Sequence, residues 1–405
     1  MNWDFLIKDK ESLSVSTDTR NLPTGCVYFA LRGETFDGNK FAKQALESGA
    51  SLAVIDNPEY ALPEGTLLVP NTLDGIQDLA RAWRRELGLP IIGITGTNGK
   101  TTTKELLATV LSTKYNIHYT QGNLNNQIGV PLTLLQITRA HEMAIVEMGA
   151  SHPGDIKELV DIAEPNYGLI TNVGRAHLQG FGSFEGVQQT KRELYDYLVA
   201  HDGTIFRNAD NPYLEKMLLS ACENSKFKIQ NSKLYPTGTM PSGTNLVGSY
   251  NAENVSAAIC VGEHFGIARE QALEAIRQYV PTNKRSQFMQ TPTNKLVVDA
   301  YNANPTSMFA SINAFEGDTF ILGEMKELGD YAHLEHQNIV NMLAERKATQ
   351  VYLVGKEWMQ TTAPYACFQD VAELREFILS HPIQNAHILL KGSRGVQLEK
   401  IIDLL

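Results

Sequence analysis

Residues 93–107 read "GITGTNGKTTTKELL". The apolar run "LPIIGIT", which includes Gly93, enters a turn carrying Gly96 and Gly99, and a helical pattern opens on Lys100-Thr101. That order makes a phosphate cradle. Glycines let backbone N–H groups approach phosphate oxygens, and a helix N-terminus presents the positive end of its dipole. Lys100 would reach the terminal phosphates, and the hydroxyl of Thr101 would ligate Mg²⁺. The usual loop has glycine six places before the lysine. Ile94 stands there, so the spacing is a variant. A glycine-rich turn without a ligand is the alternative reading.

A phosphate cradle alone serves either an enzyme or a nucleotide-gated switch. An enzyme needs a second constellation. Glu147 ends the apolar run "MAIVEMGA", and in an open α/β sheet such a strand end borders the ligand crevice. Carboxylates suit Mg²⁺, so Glu147 is a natural ligand; an exposed loop glutamate is the bland alternative. His177, in "NVGRAHL", follows the next strand similarly, as a ligand or as a structural histidine. In "SFEGVQQTKRELYDYLVA", Val187, Lys191, Leu194 and Leu198 share one helix face, apolar except for the lysine. A lysine facing inward must snorkel out, pair, or lose its charge. Carbamylation would turn its ammonium into an anion with carboxylate-like oxygens.

These groups must be placed by elements far apart in a chain of 405 residues, too long for one core. A net charge of −10 disfavours nucleic acid and membrane surfaces as partners. No run nears the roughly 20 apolar residues of a membrane span, and the N-terminus lacks a signal-peptide pattern. Cys26, Cys222, Cys260 and Cys367 lack metal-ligand spacing and read as reduced thiols of a cytoplasmic protein.

The periodicity gives an α/β chain in three domains. Residues 1–88 form a small α/β domain, and a hinge is expected near Gly88 and Pro90. Residues 89–281 alternate strands and helices as a mainly parallel sheet around the phosphate loop. Residues 282–405 give four strands ("KLVVDAYNANP", "TFILGEM", "QVYLVGK", "AHILLKGSRG") alternating with helices, a Rossmann-like pattern that closes on "VQLEKIIDLL" as a helix.

"GITGTNGKTT", "EMGASHPGDI", "NVGRAHLQGFGS", "KRELY", "YNAENVSAA" and "VVDAYNANPTSM" occur in that order. Together they resemble the Mur ligases of peptidoglycan synthesis over all three parts, and the variant glycine spacing is that family's own. "QGNLNNQIGVPLTLL" and "DAYNANP" are most similar to the members that join D-Ala-D-Ala to UDP-N-acetylmuramoyl-tripeptide. The resemblance implies a uridine-nucleotide domain, a central ATP-binding domain and a C-terminal ligase domain. It implies ATP and two Mg²⁺ ions, with Lys100 and the backbone of Gly96, Thr97, Asn98, Gly99, Thr101 and Thr102 on the phosphates. Thr101 and Glu147 would hold one Mg²⁺; His177 and a carbamylated Lys191 would help hold the second. Asn251 and Asn254 would lie near the adenine, and Asp299 and Tyr301 along the nucleotide cleft. Arg285 would cross to the phosphates, although the family's Gly-Arg is Lys284-Arg285 in this chain. Asn123, Asn125 and Asn126 would face the muramoyl-peptide, Thr19 and Arg20 the uridine nucleotide, and Lys391, Ser393 and Arg394 a peptide carboxylate.

The implied reaction phosphorylates a peptide carboxylate and lets an amine displace phosphate, with the third domain closing about 281–285. A monomer is expected. The competing readings are a ligase adding the third amino acid, whose Asp-Asn-Pro-Arg signature is not visible in the third part, a folylpolyglutamate synthase, and a nucleotide-gated binding module.

Overall fold

The computed structural model describes residues 2–223, 231–282 and 285–405. Three sheets follow one another along the chain. The first holds Val15–Ser16, Val27–Phe29, Leu52–Ile55 and Thr66–Leu68, in that order and all parallel.

The helix Thr72–Leu87 comes next. Asn71 caps it by accepting from the Leu73 and Asp74 amides, and Gly88 ends it at φ +64°. Its apolar face carries Ile76, Leu79, Ala80 and Trp83, all 0 % exposed. That face joins one buried cluster with Phe29 and Val54 of the first sheet and with Leu134, Leu159 and Leu194 of the central domain. The Trp83 indole donates to the Ile137 carbonyl at 2.8 Å, and the Arg84 guanidinium to the Glu164 carbonyl at 3.0 Å. The expected hinge at Gly88 and Pro90 is therefore absent. A pivot there would have to open a continuous core.

The central sheet is all parallel, in the order Ser232–Tyr235, Thr204–Asn208, Tyr167–Ile170, Ile91–Thr95, Met143–Glu147, Ile117–Tyr119. The chain leaves Ile91–Thr95 toward one edge and later returns on its other side. The C-terminal end of that strand is thus the topological switch point, where ligands bind in such sheets. The helices Lys100–Leu111 and Asn251–His264 pack together on one face; Phe184–Ala200 covers the other.

The third sheet has six strands rather than the expected four. Its order is Gln287–Gln290, Lys295–Asp299, His387–Lys391, Thr319–Gly323, Gln350–Val354, Ala366–Phe368, parallel except for the first strand. The two extra strands lie at the edges, where short segments show little periodicity. The C-terminal segment forms the 3₁₀ turns Arg394–Val396 and Leu398–Leu404, not an α-helix. Of the expected hinge at 281–285, residues 283 and 284 lie outside the described residues. No described helix is long and apolar enough to cross a membrane.

Candidate active site

The phosphate loop is shaped by two glycines. Gly96 sits at φ +142°, where a Cβ would come 2.0 Å from Thr171 Oγ1. Gly99 sits at φ +79°, where a Cβ would come 2.5 Å from Asn254 Oδ1. Only glycine combines that backbone with that approach. Asn172 then braces the turn. Its carbonyl accepts from the Thr97 amide at 2.9 Å, and its side chain from the Asn98 amide at 3.0 Å. The expected cradle from Gly96 to Thr102 is narrowed accordingly, because those two amides already have acceptors. The amides of Lys100, Thr101 and Thr102 head the helix Lys100–Leu111, where no intrahelical acceptor exists. The Lys100 ammonium folds back onto the carbonyls of Gly96 (2.7 Å) and Thr97 (3.2 Å). Desolvation lowers its pKa to about 8, with Glu147 opposing the fall and Arg285 adding to it.

Glu147 is 2 % exposed, so the loop-glutamate alternative fails. Its Oε1 accepts from Thr101 Oγ1 at 3.2 Å and from Asn125 Nδ2 at 2.9 Å. Its Oε2 is buried without a hydrogen-bond partner. Asn125, expected on the substrate, thus orients Glu147. Asn126 caps a turn by accepting from the Gly129 amide at 2.9 Å, and Asn123 lies exposed at the cavity mouth.

His177 precedes the short helix Leu178–Phe181 at φ +50°, and its side chain pairs through Nδ1 with Glu327 Oε2 of the C-terminal domain rather than capping the helix. Lys191 is 2 % exposed, so it does not snorkel; Val187, Leu194 and Leu198 on its face are buried with it. Its ammonium lies 5.6 Å over the Phe181 ring. Burial, then the charge of Lys100, pushes its pKa well below the usual lysine value. Lys191 is not among the residues that line the cavity. Among the described residues, no three His, Cys, Asp or Glu side chains gather as a metal site. Any cation here would take hydroxyl, single-carboxylate and imidazole donors.

One cavity of about 760 Å³ opens between the central and C-terminal domains, lined by Lys100, Thr101, Glu147 and His177 on one side and Arg285, Asp299 and Tyr301 on the other. Asn251 and Asn254 also line it, but their amides serve the fold. Asn254 accepts from Thr103 Oγ1 at 3.0 Å and donates to Asn251, which donates to the Val247 carbonyl at 2.7 Å. Lys391, expected on a peptide carboxylate, is buried and paired with Asp299 at 2.5 Å. Ser393 is buried and accepts from the Lys326 amide, while exposed Arg394 stands 5.6 Å over the Tyr301 ring. Arg285 covers that ring at 4.0 Å. Thr19 and Arg20 do not line this cavity; exposed Arg20 closes on Asp18 at 2.6 Å. Sequence reasoning missed Asn172 and Asn304. Asn304 donates to Asn98 Oδ1 at 2.7 Å across the cleft and caps the helix Pro305–Ala314. The Asn-Pro step of "YNANP" signalled that cap.

Three family domains match the chain: the Mur ligase family catalytic domain at residues 13–83, the Mur ligase middle domain at 94–262, and the Mur ligase glutamate ligase domain at 284–394. The UDP-N-acetylmuramoyl-tripeptide–D-alanyl-D-alanine ligase of Bacillus subtilis is 34 % identical, over 96 % of this chain and 92 % of the relative. That of Escherichia coli is 31 % identical, over 97 % and 93 %. A crystal structure of MurF from Acinetobacter baumannii superposes with TM-score 0.84 at 28 % identity, covering 96 % of this chain and 92 % of that one. MurF of Thermotoga maritima in complex with ADP, at 24 % identity and TM-score 0.84, shares the fold. On sequence and on fold together, the chain belongs to the Mur ligase family.

Proposed function

We propose that this enzyme joins D-Ala-D-Ala to UDP-N-acetylmuramoyl-tripeptide, using ATP and passing through an acyl phosphate. The working domain limits are 1–88 for the uridine nucleotide, 89–281 for ATP and 282–405 for closure over the reacting groups. The observation that carries this reading is the shared cavity, where phosphate-loop, carboxylate and imidazole groups of one domain face Arg285, Asp299 and Tyr301 of the next.

The chemistry follows from charge. A peptide carboxylate approaching a γ-phosphate is repelled. Lys100 and the helix N-terminus offset that repulsion and align the transfer. The orphaned Glu147 Oε2, with Thr101 Oγ1 beside Oε1, fits a first Mg²⁺. His177 would turn Nε2 toward a second, since Nδ1 faces Glu327. Such ions would supply positive charge to steady a transferring phosphoryl group. The neutral amine favoured at Lys191 is the form that adds to CO₂: its nitrogen bonds the carbon, one proton leaves, and a carbamate results. Arg285 neutralises the phosphates from the opposite wall. The dipeptide's free amine then attacks the acyl carbon, and phosphate leaves. Closure excludes water from the acyl phosphate. Four free cysteines and an ATP requirement fit a cytoplasmic setting, and a monomer suffices for a cavity built within one chain.

The deciding assay is phosphate release that requires both UDP-N-acetylmuramoyl-tripeptide and D-Ala-D-Ala. Release with neither, or with a free amino acid in place of the dipeptide, rejects the reading. Lys191→Ala should lower ligation by roughly a thousandfold while nucleotide still binds, with partial rescue by small carboxylic acids. Normal ligation by that variant removes Lys191 from the chemistry.

A further inference from the structure

Lys104 lies one helical turn beyond Lys100 and has no part in the reading above. It is 2 % exposed, as is Glu147. Its ammonium donates to the Thr120 carbonyl at 2.7 Å. It stands 4.0 Å from Glu147 Oε2, the carboxylate oxygen that has no hydrogen bond, and 3.9 Å from Glu105 Oε1. Thr120 closes the circuit, because its hydroxyl accepts from the Glu147 amide at 2.9 Å. The Tyr119 ring lies 5.5 Å from the ammonium. Among the described residues, Lys104 brings the one cation within 4.0 Å of the Glu147 carboxylate.

A buried carboxylate without a nearby positive charge is strongly destabilising. Without the proposed Mg²⁺, Glu147 would be left with two lysines for compensation, Lys104 at 4.0 Å and Lys100 beyond ion-pair distance. Thr101 and Asn125 hold Oε1, but both are neutral. Lys104 is anchored to a backbone carbonyl and does not line the cavity. It stays behind Oε2 as a fixed charge.

We infer that Lys104 is a positioning residue: a resident countercharge that holds Glu147 in place when no cation is bound and keeps the fold independent of the metal. The metal half of this statement rests on the function proposed above; the coupling of the two side chains does not. A fixed ammonium also weakens a divalent ion on the same carboxylate, so the device would trade metal affinity for easy release.

The test uses the full chain as wild type, Lys104→Met, Lys104→Arg, Glu147→Gln and the double variant Lys104→Met/Glu147→Gln. Thermal unfolding is followed in EDTA and with Mg²⁺ plus ADP. Lys104→Met should melt well below wild type in EDTA, Lys104→Arg should recover much of the loss, and the Lys104→Met loss should largely vanish in the Glu147→Gln background. Mg²⁺ plus ADP should raise the midpoint of Lys104→Met more than that of wild type. Mn²⁺ binding with ADP, counted by electron paramagnetic resonance, should tighten about tenfold in Lys104→Met. An equal melting loss in both backgrounds overturns the inference. If Lys104→Met does not fold, a folded double variant supports it and an unfolded one overturns it. Mn²⁺ binding left unchanged by Glu147→Gln would instead reject the metal role of Glu147, while melting in EDTA still judges the coupling.

Discussion

The two junctions between domains are built from opposite materials. Between the first and second sheets the helix Thr72–Leu87 belongs to both cores, and one buried cluster runs from Trp3 and Phe29 through Trp83 to Leu134 and Leu194. Between the second and third, no buried cluster joins the sheets among the described residues; half-buried Val247 is the apolar exception, resting on the C-terminal core. Polar pairs bridge that gap instead: Asn98 with Asn304, His177 with Glu327, Arg175 with Glu335, and Tyr250 with Ser286 at 2.7 Å. Apolar burial is lost outright when a core opens, whereas each of these half-buried polar pairs trades its hydrogen bond for one to water at a small net cost. The first junction is therefore a weld and the second a clasp. The cavity lies at the clasp.

Trp83→Ala should break the weld. Losing a fully buried indole, with its bond to Ile137, should cost about 3–5 kcal/mol and lower the melting of the first two sheets together. Calorimetry checks this; independent release of a folded fragment 1–88 would show that the two cores are separable after all. Asn304→Ala acts on the clasp. It removes a helix cap and the partner of Asn98, at about 1–2 kcal/mol. Hydrogen exchange should rise in the helix Pro305–Ala314 and the phosphate loop, and stay unchanged around Trp83. A uniform rise would erase the contrast. The smallest effect is one of pH. Lys100 at the clasp has its pKa lowered to about 8, so its charge is lost as pH rises through that value. Nucleotide affinity of the free enzyme should fall about tenfold from pH 7 to 9, and Lys100→Arg should flatten the fall. Calorimetric titration across that range decides it.

Local signals were readable in the sequence; distant partnerships were not. The glycine and lysine spacing announced the phosphate loop, and the inward face of Phe184–Ala200 announced a buried lysine. Glu147 was placed by its position at a strand end. Asn172 escaped because its role depends on Tyr167–Ile170 lying beside Ile91–Thr95, which no local pattern reveals. Asn98 and Asn304 are 206 residues apart. The supposed hinge at Gly88 failed for a related reason. Periodicity shows that a helix has an apolar face, but not how many cores that face enters. Asn125, Asn254 and Lys391 were assigned to ligands through the resemblance; all three line the cavity, and each also supports another side chain of the wall. Polar residues near a site serve both ends, and only coordinates separate them.

The shared helix has one further consequence. On the function proposed above, a ligand gripped by the first sheet would stand at a constant span from the phosphate loop, because one buried core joins the two. The enzyme would then act as a caliper, with one jaw fixed on the nucleotide handle and the other on the reacting terminus. An acceptor peptide one residue too short would be bound by its handle and still miss the point of attack.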